Sequence, residues 1–440
     1  MMNLNKIKKF LIPILIIVVS GILFFIINYY GSIELKKDTV GVYGPISLIF
    51  PKNTDNSTLY DRIIIEPEVK GEFIFQDSEL KIYPYSPLIN ESYTVSIIRE
   101  NDLFTHLTKN KQELILSVRK PSLISLAIDE EKNRLQVTNL EKGGSQTLFE
   151  ATRKIYDFSV RKDGEFIAFS IENDLQGYDI WSISRDGTEE ELLISCGEAK
   201  CIEPIWSPDG TKLAYSIKGE KSINKDSYIE VIDLRSKDIF QVGKQRENIS
   251  LPQWSPDGYY LGFYDHLKNE IVINDLEQNL EAVIQTTVEQ KPAWSPDSTK
   301  FVYLVEERTE RYPYVSLFIA DLKMTSVNQL MKVPDEKYEY GIPIWTQDGK
   351  NLIYSKRNVV KAETRQLFLL NLGSNNEVQI TNDQDYEHAS YHLNPIGNQL
   401  VYQRYALTKL DSRPEIVIKD IIKFEDLSII GYGSLPQWLP

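Results

Sequence analysis

Five aspartates recur at matched places in the chain, Asp163, Asp209, Asp257, Asp297 and Asp348. Carboxylates at regular spacing are the first residues to test for acid–base chemistry. Each of these, however, lies in a turn such as Ser-Pro-Asp-Gly at 207–210 and 255–258. An aspartate there accepts backbone N–H groups of its own turn, which makes it a structural residue. The histidines offer little more. His106 and His266 stand alone, while His388 and His392, beside Glu387, have an even spacing that on a strand would put both rings on one face. A metal site there would need further ligands from neighbouring segments, and packing or surface roles are the simpler reading. No G-x-S-x-G, H-E-x-x-H, P-loop or G-x-G-x-x-G run occurs. No catalytic residue, metal or cofactor is therefore assigned. Cys196 and Cys201 are the only thiols; four residues separate them, which is not redox C-x-x-C spacing. Two thiols make a poor zinc site, and in an oxidising compartment they would close a small disulfide loop.

The turns belong to a repeat. CIEPIWSPDGTKLAYS begins at Cys201, LPQWSPDGYYLGFY at Leu251, KPAWSPDSTKFVYL at Lys291 and IPIWTQDGKNLIYS at Ile342. Weaker copies begin at Ile155 and His388. Asp-Gly between two short apolar runs is a hairpin signal, because glycine supplies the positive φ of such turns. Each full repeat continues into a third strand ending in Asp/Asn-Leu, as in YIEVIDL at 228–234, and then a fourth. Units of four strands at a spacing of 40–50 residues are propeller blades, which stack radially because one blade cannot bury both faces.

Counting the aromatic that ends each first strand gives Phe158, Trp206, Trp254, Trp294, Trp345 and Tyr391, six blades with complete first strands. The segment Ser122–Ala151 reads as strands two to four without a first, and Gly433–Pro440 (GSLPQWLP) as a first strand without a second. Joined, they make a seventh blade closed by the C-terminal strand, which removes the edge an open ring would expose. First strands line the central channel. Three positions before each aromatic stand Ile155, Glu203, Leu251, Lys291, Ile342, His388 and Leu435. The charged or polar members Glu203, Lys291 and His388 are the candidate recognition mouth in an otherwise aliphatic ring.

These repeats resemble the TolB-like propeller family, whose hallmark is P-x-W-S-P-D-G. Residues 204–210 and 252–258 match it fully, 292–298 and 343–349 in part, and the first and sixth copies lack the tryptophan. The resemblance implies a six-bladed ring, from which a seventh blade departs. It also includes propellers attached to serine peptidases.

Upstream, short alternating runs at 46–50, 62–65, 72–75, 80–83, 93–98 and 113–118 predict a β-sandwich over residues 31–120, following a short polar stalk at 31–38. Their order and their Pro, Gly-x-Phe and Tyr-x-Val punctuation resemble bacterial Ig-like domains of the S-layer-protein type. That resemblance implies a spacer or adhesive module. Residues 121–440 are then the propeller, and the whole is all-β outside the N-terminus.

Residues 1–9 carry three lysines and no acid, and the 21 residues Phe10–Tyr30 carry no charge. That length crosses a hydrocarbon core of roughly 30 Å. Positive charge before the span places residues 1–9 in the cytoplasm and the bulk of the chain outside. A cleaved signal peptide fits less well, because the apolar run continues through Phe24–Ile27 with no small-residue cleavage site. The net charge of −14 argues against nucleic acid as a partner. The expectation is a single-pass, extracytoplasmic propeller that binds a protein or cell-envelope component without catalysis. The alternative is a propeller lyase or hydrolase acting on glycans at the channel mouth.

Overall fold

The structure is a computed structural model that describes residues 33–51, 62–98, 111–129, 131–141, 143–219, 227–278, 280–310, 313–323, 326–333, 337–361, 363–408 and 413–440. The apolar run at 10–30 lies outside the described residues. Among those described, no helix is long and apolar enough to cross a membrane. The chain divides into two compact units, Met1–Lys120 and Pro121–Pro440.

In the first unit two four-stranded sheets share one core. One sheet orders Glu34–Leu35, Ile46–Ile49, Glu79–Pro84 and Gly71–Gln76; the other orders Thr39–Val40, Lys111–Val118, Ser92–Ile98 and Ile63–Glu66. Alternation puts Ile46, Leu48, Leu80 and Ile82 of one sheet and Tyr93, Val95 and Leu116 of the other into the same apolar cluster. All six strands expected from sequence are present. The polar segment at 31–38 is more than a stalk, because Glu34–Leu35 pairs with Ile46–Ile49.

The second unit is a β-propeller. Among the described residues it has seven blades, numbered here from the one that begins at Ser122; each has four strands except the sixth, whose inner strand is split into Tyr338–Tyr340 and Ile344–Trp345, and blades two and three are bridged by Tyr178 and Lys200. Blade one takes its inner strand, Ser434–Leu439, from the far end of the sequence; that strand pairs antiparallel with Ser122–Ile128. The inner strands of the others are Ile155–Val160, Lys200–Trp206, Ile249–Trp254, Ala293–Trp294, Ile344–Trp345 and Tyr386–Leu393. Each blade interface has its own apolar core, and seven such cores complete the circle. Phe158 and Leu439 meet between blades one and two, Trp206 and Ile180 between two and three, and Trp254 and Ala214 between three and four. Trp294 and Tyr264, Tyr340 and Leu304, Tyr391 and Ile353, and Trp438 and Val401 mark the remaining four.

The turns behave as their residue types require. Asp163, Asp209, Asp257, Asp297 and Asp348 each accept the backbone N–H two residues on, at 3.0 to 3.1 Å. Burial would raise the Asp209 carboxyl, but hydrogen bonds from Ser207 and Thr211 outweigh it and hold the group below its ordinary range.

Hairpin register corrects the alignment of two blades. Trp206 pairs with Leu213 and Trp254 with Leu261, and the residues that pair equivalently are Val160 with Ile167 and Leu393 with Leu400. Phe158 and Tyr391 therefore sit two residues before the place the tryptophans occupy. The tryptophans tie the blades in a regular way. Trp206, Trp254, Trp345 and Trp438 donate their indole N–H to the carbonyls of Ser159, Ile205, Ala293 and His392. In each case the acceptor immediately precedes the equivalent position of the preceding blade.

Candidate functional site

The inner strands are not straight. Register shifts fall between Ile202 and Ile205, Ser250 and Gln253, Ala389 and His392, and Ser434 and Gln437. At each, one residue takes a left-handed conformation: Glu203 (φ 60°), Leu251 (62°), Ser390 (46°) and Leu435 (52°). These are bulges, which leave a residue unpaired and bend the strand at the channel wall. With the corrected alignment, the seven equivalent positions are Asp157, Glu203, Leu251, Lys291, Ile342, Ser390 and Leu435. Asp157 and Ser390 thus replace Ile155 and His388 in the expected ring.

The unpaired N–H groups are met from the blade before. Asp157 accepts from Glu203 N at 2.9 Å through Oδ2, and Glu203 accepts from Leu251 N at 2.8 Å through Oε2. Gln403 serves Leu435 N in the same way at 2.9 Å. Glu203 also accepts from Ser216 Oγ at 2.7 Å, and Lys218 Nζ stands 3.9 Å from its other oxygen. Both acids thus have a structural use, yet one atom is left over: Asp157 Oδ1 is buried and has no hydrogen-bond partner. Burial raises the Asp157 carboxyl, Lys291 pulls it back, and Glu203 raises it again, so that it titrates at about 7.

Lys291 stands on blade five, opposite this pair, and forms no hydrogen bond or ion pair among the described residues. Its charge is felt by Asp157 on blade two and by His392 on blade seven. The His392 side chain is exposed to solvent, yet many protein atoms surround it. That enclosure, with the Lys291 charge, brings its imidazole down to about 4, so it is neutral near pH 7. At the rim Tyr156, half exposed, packs edge-on to Tyr178 with ring centroids 5.9 Å apart. Burial first, then Glu203, Asp157 and Glu289, raise its phenol above the ordinary value.

Of the residues named from sequence, Glu203 and Lys291 share this site and His388 does not. His388 is buried, its Nδ1 lies 3.0 Å from the Arg365 carbonyl, and its ring packs on Tyr402. The bulge between His388 and His392 cancels the even spacing, so the two rings do not share a face. Among the described residues, no group of three or more potential metal ligands is assembled. Cys196 and Cys201 are joined in a disulfide with Cα atoms 6.1 Å apart, which ties the connection after blade two to the inner strand of blade three. Sequence reasoning placed neither Asp157 nor His392 at the channel, although it weighed His392 together with His388. The usable signal was the six-residue turn length, which fixes Val160 and Leu393 as the strand ends.

The family model described as TolB beta propeller domain matches residues 158–404. A relative named uncharacterized peptidase YuxL, from Bacillus subtilis (strain 168), is 26% identical over 191 residues, covering 35% of this chain and 29% of that protein. This chain therefore spans well under half of the curated relative it matches. Oligogalacturonate lyase from Vibrio parahaemolyticus superposes with a TM-score of 0.51 at 14% identity, over 66% of this chain and 83% of the other. TolB from Acinetobacter baumannii superposes with a TM-score of 0.41 at 17% identity, over 72% and 81%. At such identities the likeness concerns the fold.

Proposed function

The chain belongs to the TolB beta propeller domain family, and from that premise we propose that it is a binding platform whose ligand enters the channel mouth. The observation that carries this reading is the convergence of Asp157, Glu203, Lys291 and His392, from blades two, three, five and seven, on one lumen. Lys291, with no ion pair among the described residues, and Asp157, with one unpartnered oxygen, are polar groups of the kind that orient a ligand in a concave site. In the same proposal, residues 10–30 anchor the chain in a membrane with the propeller outside. The two-sheet unit is an Ig-like spacer that holds the propeller away from the surface, and the ligand is a protein or envelope component. The test is capture from the host's envelope fraction with full-length protein in detergent. One specific protein, recovered by the wild type and lost with Glu203→Gln or Lys291→Met, supports the reading; recovery indifferent to both variants overturns it.

A second reading draws on Asp157 itself. A carboxyl that titrates near neutrality beside a second carboxyl group is the arrangement of a general acid, and would suit a propeller enzyme acting on glycans. Release of glycan fragments by the wild type, abolished by Asp157→Asn, would favour it over binding.

A further inference from the structure

The seam that closes the ring is the least filled of the seven. Among the described residues its buried core is five side chains, Leu123, Val401, Ile416, Ile418 and Trp438, where each of the other six seams has eight to ten. Beside that core lies a cavity of about 510 Å³, walled on one side by the turn between the third and fourth strands of blade one and on the other by blade seven. Ile418 belongs to both the core and the cavity wall, and Leu140 and Ile430 pack on the core while lining the cavity. The cavity therefore continues an interface that the fold already uses. Its local cause is the turn at 139–144. Gly143 and Gly144 take φ of 68° and 86°, and a Cβ on either would meet nothing within 4 Å. Two residues without side chains leave that wall open.

The lining decides what fits. Leu140, Ile418 and Ile430 make an apolar floor, and Thr138, Gln399 and Ser428 supply two hydroxyls and an amide. Thr138 Oγ1 is engaged with Ser145 Oγ at 2.8 Å, whereas the side chains of Gln399 and Ser428 make no hydrogen bond among the described residues. No ionisable side chain lines the cavity among the described residues, in a chain that is 25% charged. A charged ligand would give up its hydration there for no counter-charge, and a sugar would turn hydroxyls toward three aliphatic side chains. An apolar body with one amide or hydroxyl head meets both surfaces. The volume lies in the range of about 300–1,000 Å³ usual for small-molecule sites.

We propose that this cleft binds a small uncharged amphiphile, with its aliphatic body against Leu140, Ile418 and Ile430 and its head at Gln399 and Ser428. Leu140 belongs to blade one and the other four to blade seven, so the bound molecule spans the seam. It therefore fits only the closed ring, and it stabilises closure by an amount that grows with its concentration relative to Kd. No covalent bond changes.

The experiment is equilibrium dialysis at pH 7 of the full-length protein in phosphatidylcholine nanodiscs against octanamide, octanoate and octylamine. These probes share one body and carry neutral, negative and positive heads. Ser428 is exposed on the fourth strand of blade seven, so Ser428→Trp plugs the cleft from its rim. Nanodiscs holding that variant report what the bilayer itself takes up. Expected are saturable binding of one octanamide per wild-type chain and a loss of about tenfold or more with Ser428→Trp or with either charged head. Octanamide should also raise the melting temperature of the wild type and not that of Ser428→Trp. Gln399→Leu keeps the floor and removes the partner of the head; it should weaken octanamide binding with the ligand-free melting temperature unchanged, and it decides alone if Ser428→Trp fails to fold. Absence of saturable binding, equal or tighter binding of a charged probe, or binding indifferent to these variants overturns the proposal. So does octanamide binding without a rise in melting temperature. Tighter binding of acetyl-Leu-Leu amide would assign the cleft to a peptide, and dimerisation abolished by Ser428→Trp would assign it to a second copy; either overturns the proposal too.

Discussion

Trp438 donates its indole N–H to the carbonyl oxygen of His392 at 3.0 Å, across the seam where the last blade meets the first. The same side chain is buried with Leu123, Val401, Ile416 and Ile418. One residue thus joins the strand from the end of the sequence to blade seven by a hydrogen bond and to the seam by packing. Trp438→Ala should cost about 3–5 kcal/mol, chiefly through the cavity. Trp438→Phe, which leaves the His392 carbonyl without its donor, should cost nearer 1 kcal/mol. Urea unfolding of the three proteins checks both figures, and equal losses would show that the hydrogen bond dominates.

Gly262, on the second strand of blade four, lies close against Pro292 of blade five. A Cβ there would collide with Pro292 Cγ and stand 3.2 Å from Ile273 Cδ1. Ring atoms of a proline on a neighbouring inner strand have little room to yield. Gly262→Ala should lower stability by about 1–3 kcal/mol through overpacking, measurable as a fall in the urea midpoint at unchanged slope.

Asp157 should leave a signature in stability against pH. Its folded carboxyl titrates at about 7, above the ordinary aspartate value of 3.8. Between those values the folded state holds a proton that the unfolded state has lost. The contribution is fully present below about 4 and is lost as pH rises through about 7. Asp157→Asn should therefore match the wild type at pH 4 and exceed it at pH 8 by a few kcal/mol at most, on the order of one for each unit of displacement. A variant less stable than the wild type at pH 8 would refute this.

The disulfide closes a loop between residues only 5 apart in sequence. The chain-entropy relation gives about 2 kcal/mol for so short a loop. Cys201 is fully buried and its carbonyl accepts from Ser170 Oγ at 2.5 Å, so the reduced strand keeps its other ties. Reductant should lower the melting temperature of the wild type and leave a Cys196→Ala/Cys201→Ala protein unmoved.

Much of the ring was legible because tryptophan and the following turn recur together. Trp206, Trp254, Trp294 and Trp345 each precede a turn of the same length, and Trp438 repeats the Pro-Gln-Trp of blade four. Where the tryptophan is missing, aromaticity misleads: Phe158 and Tyr391 are buried anchors, but two residues early. The bulges left no mark in residue type, since Glu203, Leu251, Ser390 and Leu435 take a positive φ that usually signals glycine. The surrounding sheet imposes that conformation, and the carboxylates of Asp157 and Glu203 stabilise it at blades three and four. Aromatic spacing therefore points to His388 and not to Asp157, whereas His388 is buried against Tyr402 with Nδ1 at the Arg365 carbonyl.

Arg185 reaches from blade two to the carbonyl oxygens of Leu439 and Pro440, with Nη1 and Nη2 both 3.4 Å from Leu439 O. Gly164, at φ 72°, leaves the space that the Pro440 carbonyl occupies. During biosynthesis this matters for timing. Ser122–Ile128 leaves the ribosome more than three hundred residues before the strand that will cover it. Until the tail arrives, a nascent intermediate carries a bare strand open to intermolecular pairing. Ring closure must wait for Ser434–Leu439, and chaperone dependence should be concentrated in that interval.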